Sequence, residues 1–171
     1  MTTIAACLDS LSMAADAKVT ICTSDGAEEL HAVRCFKLWR NRRFIVGAAG
    51  EDTDIAGLRR WLSGGRRGKR PWSGRDFSAL LLSRTALFYI EDGGDMEVCR
   101  LGYHAIGTGA GFALASMTTM VRMGLDVDVQ VAVHVACAHD NATGEPVDVM
   151  SWAQVGHETP RSGAHVENPP R

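Results

Sequence analysis

The sequence has no uninterrupted apolar run of about eighteen residues, which argues against a helical membrane span. Its first residues carry neither a basic stretch nor a long apolar segment, so nothing there reads as a secretory leader. The five cysteines, Cys7, Cys22, Cys35, Cys99 and Cys137, are odd in number and scattered, with no C-x-x-C pair. A disulfide framework and a cysteine zinc site are both disfavoured, and a reducing cytoplasm is the natural inference. The formal net charge is only −2, so bulk attraction to nucleic acid or an anionic membrane is not expected. His104, His134 and His139 share no metal-ligand spacing, and no G-x-x-x-x-G-K-[ST] occurs, so neither a metal nor a nucleotide cofactor is expected. Nothing repeats at a period of 20–50 residues.

What remains is an ordinary globular composition, 46% hydrophobic and 22% charged over 171 residues, enough for one domain with a sizeable core. The domain is expected over residues 1–156, followed by a polar, aperiodic stretch, 157–171, that reads as a flexible tail. Thr3 to Leu8 reads as a strand, and Leu11 to Val19 as its hairpin partner, with Ala14 and Ala15 small enough for close approach. Thr23 to Glu29 reads as a polar loop. Val33 to Trp39 and Phe44 to Ala49 read as strands joined at Asn41-Arg42. A helix follows, with Ile55, Leu58, Trp61 and Leu62 at helical spacing and Asp52, Thr53 or Asp54 as its cap. The glycine-rich basic stretch from Ser63 to Pro71 reads as a solvated connection. Asp76 to Ser83 reads as a short helix; Thr85 to Glu91, Asp95 to Arg100 and Tyr103 to Ile106 as strands. Gly107-Thr108-Gly109-Ala110-Gly111 opens a broadly apolar helix ending at Gly124, expected to be buried on more than one side. Asp126 to Ala138 is a second helix, and Pro146 to Trp152 a last strand. This order suits an antiparallel two-sheet core with helices on both outer faces.

Chemistry concentrates at the start. Were Met1 removed, Thr2 would carry a nucleophile, its Oγ, and a base, its own α-amine, on one residue. An α-amine titrates near pH 8, so part of it is unprotonated at neutral pH and can accept the Oγ proton. By the two-residue strand period Asp16 and Lys18 fall on one side of their strand. Read alone, a Lys-Asp pair can be an ordinary ion pair, Gly47 a packing glycine, and Thr108, Asp140 and Thr143 cap or turn residues.

Five blocks in order change that reading: Thr2-Thr3-Ile4; Ala14-Ala15-Asp16-Ala17-Lys18-Val19-Thr20; Lys37-Leu38-Trp39-Arg40 before Phe44-Ile45-Val46-Gly47-Ala48-Ala49-Gly50; Ala105-Ile106-Gly107-Thr108-Gly109; and Asp140-Asn141-Ala142-Thr143-Gly144. Together they resemble the proteasome β-subunit family, and within it the bacterial HslV-type threonine proteases, from Thr2 to about Trp152. The resemblance implies an α+β fold, the four-layer αββα sandwich of N-terminal nucleophile hydrolases. It implies that Thr2 is the nucleophile and Lys37 the fixed cation that lowers the pKa of its hydroxyl and amine. Asp16 would hold that lysine, with Lys18 as a structural support. Gly47 would offer its backbone N–H to the oxyanion. Thr108, where the family commonly has serine, would join Asp140 and Thr143 in orienting the amine. The hairpin from Lys37 to Gly47 is shorter than the family's usual one, and a gapless alignment would put Cys35 in the lysine's place.

The activity so implied is a threonine-type endopeptidase acting on unfolded polypeptide. Its expected setting is homo-oligomeric hexameric or double-hexameric rings, fed by a separate ATP-dependent unfoldase. Two other readings stay open: a non-catalytic proteasome-like assembly protein, and an N-terminal nucleophile amidase for small amides.

Overall fold

The computed structural model describes residues 2–23, 26–30, 37–66, 69–72 and 76–152, with the backbone alone for 19–23 and 26–30. The first strand, β1 (Thr3–Cys7), is buried at every residue. Its side chains divide by the period of two: Ile4 and Ala6 enter one apolar cluster, Ala5 and Cys7 another. A strand apolar on both faces must lie between two layers, and the architecture follows from that.

Strand β1 pairs antiparallel with β2 (Ser12–Asp16) on one side and with β10 (Tyr103–Gly107) on the other. The last strand, β11 (Val147–Ser151), adds to β2 and completes a four-stranded sheet. A second antiparallel sheet runs β5 (Leu38–Arg40), β6 (Ile45–Ala49), β7 (Ser78–Leu82), β8 (Leu87–Ile90), β9 (Glu97–Val98). Between the sheets pack Ile4, Met13 and Ile106 from the first and Leu38, Ile45, Leu80, Leu82 and Leu87 from the second. Helix α1 (Asp52–Ser63) covers the outer face of the second sheet, placing Leu58 and Leu62 against Val46, Ala48, Ala79 and Leu81. Helices α2 (Ala110–Arg122) and α3 (Val129–His139) cover the first, through Ala113, Met117, Ala132, Val133 and Ala136. The layers are therefore αββα. Alanines dominate the interface of α3 with β1 and β2, which lets those backbones approach closely.

The β5–β6 hairpin turns where the sequence predicts. Asn41 accepts the N–H groups of Arg43 and Phe44 on its own Oδ1, both at 2.8 Å, and so makes the turn from its side chain. Asp128 caps α3 by accepting from the amides of Gln130 and Val131.

Four expectations need correction. Residues 76–83 contain strand β7, not a helix. Leu80 and Leu82 face the inter-sheet core while Ala79 and Leu81 face α1, and a strand covered on both faces shows no alternation to read. Of the segment read as a polar loop, Thr23 to Glu29, the described residues belong to a two-stranded ribbon of β3 (Val19–Thr23) and β4 (Gly26–Leu30), held by main-chain pairing that polar side chains do not prevent. Helix α1 is preceded by Glu51 at its N-cap with no side-chain cap bond, so Asp52, Thr53 and Asp54 do not cap it; Asp52 and Asp54 instead place negative charge in its first turn. Helix α2 is fully covered only at Ala113 and Met117, and leaves Phe112, Val121 and Met123 exposed, because within the single chain it packs on one side only. The Val33–Phe36 part of one predicted strand and the 157–171 stretch lie outside the described residues.

Candidate active site

The sheet register brings the start of the chain to a glycine. Thr3 lies opposite Gly107, and the Thr108 amide donates to the Thr2 carbonyl at 2.9 Å. Gly107 has φ +93°, and a Cβ there would collide with that carbonyl, so only glycine allows this approach. Thr2 thereby lines a cleft of about 820 Å³ between the two sheets.

Asp16 ends β2 beneath this point, 1% exposed. Its Oδ1 accepts from the Thr3 amide at 2.7 Å and from Lys37 Nζ at 2.9 Å; its Oδ2 accepts from the Gly144 amide at 3.4 Å. Lys37 Nζ also donates to the Lys18 carbonyl at 2.8 Å. A buried ammonium here is matched by a buried carboxylate and a carbonyl, as its desolvation demands. Lys37 thus stands beside Asp16 in the short hairpin, while Cys35 lies outside the described residues. Lys18 turns away, donating to the Asn141 carbonyl at 2.6 Å with its stem against Gly144, which braces the 140–144 loop.

A second cluster gathers around that loop. Asp140 Oδ2 accepts from Thr108 Oγ1 at 2.6 Å and from Thr143 Oγ1 at 2.7 Å, and its Oδ1 from the Ala142 amide at 3.1 Å. Burial pushes the Asp140 carboxyl up, but the hydrogen bonds from Thr108, Thr143 and Ala142 outweigh it and hold it below the usual carboxylate range. Asp140 is therefore an anion at neutral pH, able to attract a cationic amine. Thr108, Asp140 and Thr143 come together as the sequence reading predicts. Thr3, which that reading leaves without a role, joins them: its Oγ1 lies 2.6 Å from Thr143 Oγ1.

Gly47 is placed differently from its expected role. A Cβ on it would press against Ile4, Leu38 and Met13, so its small size serves the packing between the sheets. The Ala48 amide donates to the Lys37 carbonyl, and amides alternate sides along an antiparallel strand, so the Gly47 N–H is turned towards Leu80 of β7. Three residues on, Gly50 lines the same cleft as Thr2 and has φ +131°. The sequence signal for it was available in Gly47-Ala48-Ala49-Gly50, but only sheet pairing tells which glycine faces the cleft.

The cleft wall also carries four carboxylates, Glu51, Asp76, Glu91 and Asp92, and, among the described residues, no lysine or arginine. Glu91 is paired with His104 at 3.0 Å. His134 pairs with Glu145, and His139 stacks on Phe112. No group of His, Cys, Asp and Glu suited to a metal ion is found among the described residues. Cys137, on α3, is no rival nucleophile: burial, then the nearby carboxylates of Glu145 and Asp16, push its thiol up to about 11, leaving little thiolate at neutral pH. No helix of the described residues is long and apolar enough to cross a membrane.

No family model and no curated protein matches the chain. Solved structures do. HslV from Trypanosoma brucei superposes with a TM-score of 0.67 at 23% identity, over 87% of this chain and 98% of that one. The BPH protein of Thiobacillus denitrificans gives 0.64 at 18%, over 88% and 98%. A Gly-1 mutant of Anbu from Hyphomicrobium sp. strain MC1 gives 0.57 at 13%, over 89% and 81%. With its layers, sheet order and near-complete coverage of these structures, the chain has the αββα fold found in HslV and the BPH protein.

Proposed function

We propose that this chain is a threonine-type endopeptidase subunit whose nucleophile is Thr2, freed by removal of Met1. The observation that carries the reading is the pair of hydrogen bonds on Asp16 Oδ1, which joins the main chain one residue beyond Thr2 to the Lys37 ammonium. In this mechanism the Thr2 α-amine accepts the Oγ proton as Oγ attacks the substrate carbonyl, then passes that proton to the departing nitrogen as the C–N bond breaks, giving an ester acyl-enzyme and a free amine product. Water, deprotonated by the same amine, then hydrolyses the ester. Lys37 supplies fixed positive charge that favours the attacking alkoxide, and Thr108, Asp140 and Thr143 orient the amine. For the oxyanion donor we favour the Gly50 amide over Gly47, because Gly50 borders the cleft and the Gly47 amide faces β7.

The substrate is unfolded polypeptide, and assembly into hexameric or double-hexameric rings would sequester the sites. Exposed Phe112 and Val121 on α2, with Met123 at its C-cap, offer apolar surface suited to such association. An ATP-dependent unfoldase would deliver the substrate. The test is intact mass together with turnover. The purified protein should lack Met1 and cleave a fluorogenic peptide, and Thr2→Ala should abolish cleavage. A processed particle that cleaves nothing is the non-catalytic assembly protein, and one that cleaves only small amides is an amidase.

A further inference from the structure

We infer that Thr3 is a positioning residue for this chemistry, coupling the Asp16–Lys37 pair to the Asp140 cluster through its own backbone and side chain. The inference rests on the proposed threonine mechanism and extends it to a residue that does not touch substrate.

Thr3 is fully buried. Its amide donates to Asp16 Oδ1, the same oxygen that receives Lys37. Its hydroxyl accepts from the Gly109 amide at 3.0 Å. Thr143 Oγ1 donates its only proton to Asp140 Oδ2, so the short contact between the two hydroxyls has one possible direction: Thr3 donates and Thr143 accepts. The bonds therefore run in order from Gly109 N–H to Thr3, from Thr3 to Thr143, and from Thr143 to Asp140, where Thr108 also ends. Every donor in this run has an acceptor.

The residue that follows Thr2 is thus fixed twice. Its backbone is tied to the Asp16 carboxylate that holds Lys37, and its side chain, through Thr143, to Asp140. Both ties act one peptide away from the Thr2 amine and Oγ, whose placement then has little freedom. A glycine at 109 is part of the arrangement, because a Cβ there would collide with the Thr3 hydroxyl. Valine in place of Thr3 keeps the shape and the main-chain bond to Asp16. It removes the acceptor for Gly109 and the donor to Thr143, freeing the Thr143 hydroxyl to rotate and loosening the Asp140 cluster. Misplacement of reacting groups by about 1 Å can cost on the order of 10²-fold in rate.

The test compares wild type, Thr3→Val, Thr3→Ser and Thr2→Ala, each with Met1 loss checked by intact mass. Peptide kcat and KM are followed from pH 6 to 10. The expected result for Thr3→Val is a kcat lower by about ten- to a hundredfold with KM nearly unchanged, and a displaced alkaline-to-neutral limb in the kcat profile. Thr3→Ser, which keeps the hydroxyl, should restore both. If Thr3→Val does not fold, Thr143→Val deletes that bond from the other end, together with Thr143's own bond to Asp140, and should show at least the same kcat loss and displaced limb. Wild-type kcat and pH profile in a folded, processed Thr3→Val, or in Thr143→Val, would overturn the positioning role while leaving Thr2 as nucleophile. Full activity in Thr2→Ala would overturn the threonine mechanism itself, and the positioning role with it.

Discussion

Lys37 is the most incisive place to test the geometry. Its ammonium side chain is 7% exposed, and its carboxylate partner Asp16 is fully covered at 2.9 Å. With an effective dielectric near 20, the Coulomb attraction at that distance is about 6 kcal/mol before desolvation is counted. Replacing Lys37 by methionine keeps most of the volume and removes the charge. Asp16 is then a buried anion with only the Thr3 amide at 2.7 Å and the distant Gly144 amide at 3.4 Å. Breaking a buried pair in this one-sided way costs about 3–5 kcal/mol. The two remaining N–H donors place the expectation at the lower end, about 3 kcal/mol. For a chain of this size that is a fall in Tm on the order of 10 °C. Urea unfolding followed by tryptophan fluorescence at fixed protein concentration measures it, since any assembly links stability to concentration. The double variant Lys37→Met with Asp16→Leu removes both charges and should recover much of the loss, with activity still absent. A Lys37→Met protein less than about 1 kcal/mol destabilised would refute the buried pair, and wild-type peptide turnover in it would refute the catalytic use of the lysine.

Three further outcomes follow from the site. Gly47→Ala should lower stability by about 1–3 kcal/mol through crowding of Ile4, Leu38 and Met13, with kcat per folded molecule kept, whereas Gly50→Ala, strained at φ +131°, should lower kcat; the reverse pattern in kinetics and melting would return the oxyanion role to Gly47. Because its hydrogen bonds depress the Asp140 pKa in the folded state, its contribution to stability is fully present above the ordinary carboxylate pKa of about 4 and is lost as pH falls through the lower folded value; Thr108→Val should weaken that dependence, seen as a flatter acid limb in unfolding between about pH 2 and 5. The carboxylates of Glu51, Asp76, Glu91 and Asp92 beside Thr2 should favour peptides bearing lysine or arginine over acidic ones, by a kcat/KM ratio that shrinks as salt is raised; a preference for acidic peptides at low salt would contradict this reading of the cleft.

Much of this molecule is legible in one dimension. The Thr2 start, the Ala-Ala-Asp of β2, the Asn41 turn, the Gly107-Thr108-Gly109 entry to α2 and the Asp140–Gly144 loop each carry a local signal, and their order supports the layered fold. The grouping of Thr108, Asp140 and Thr143 comes from the resemblance alone, since each by itself reads as a cap or turn residue, and the hydrogen bonds on Asp140 bring the three together. What the sequence withheld is whatever depends on two-sided burial or on pairing. Strand β7 reads as a helix because its leucines are covered on both faces and so leave no period. Helix α2 reads as buried on more than one side because apolar content does not say how many neighbours a helix has.

The composition and order of residues determined the layered α+β architecture and the chemistry available at the start of the chain, because strand burial and side-chain type are local properties. Only the tertiary structure decided that Lys37 reaches Asp16, that Gly50 rather than Gly47 borders the cleft, and that Thr3 links two charged centres. Those depend on register, and in a sheet a shift of one residue sends each side chain to the opposite face and each amide to the opposite neighbour.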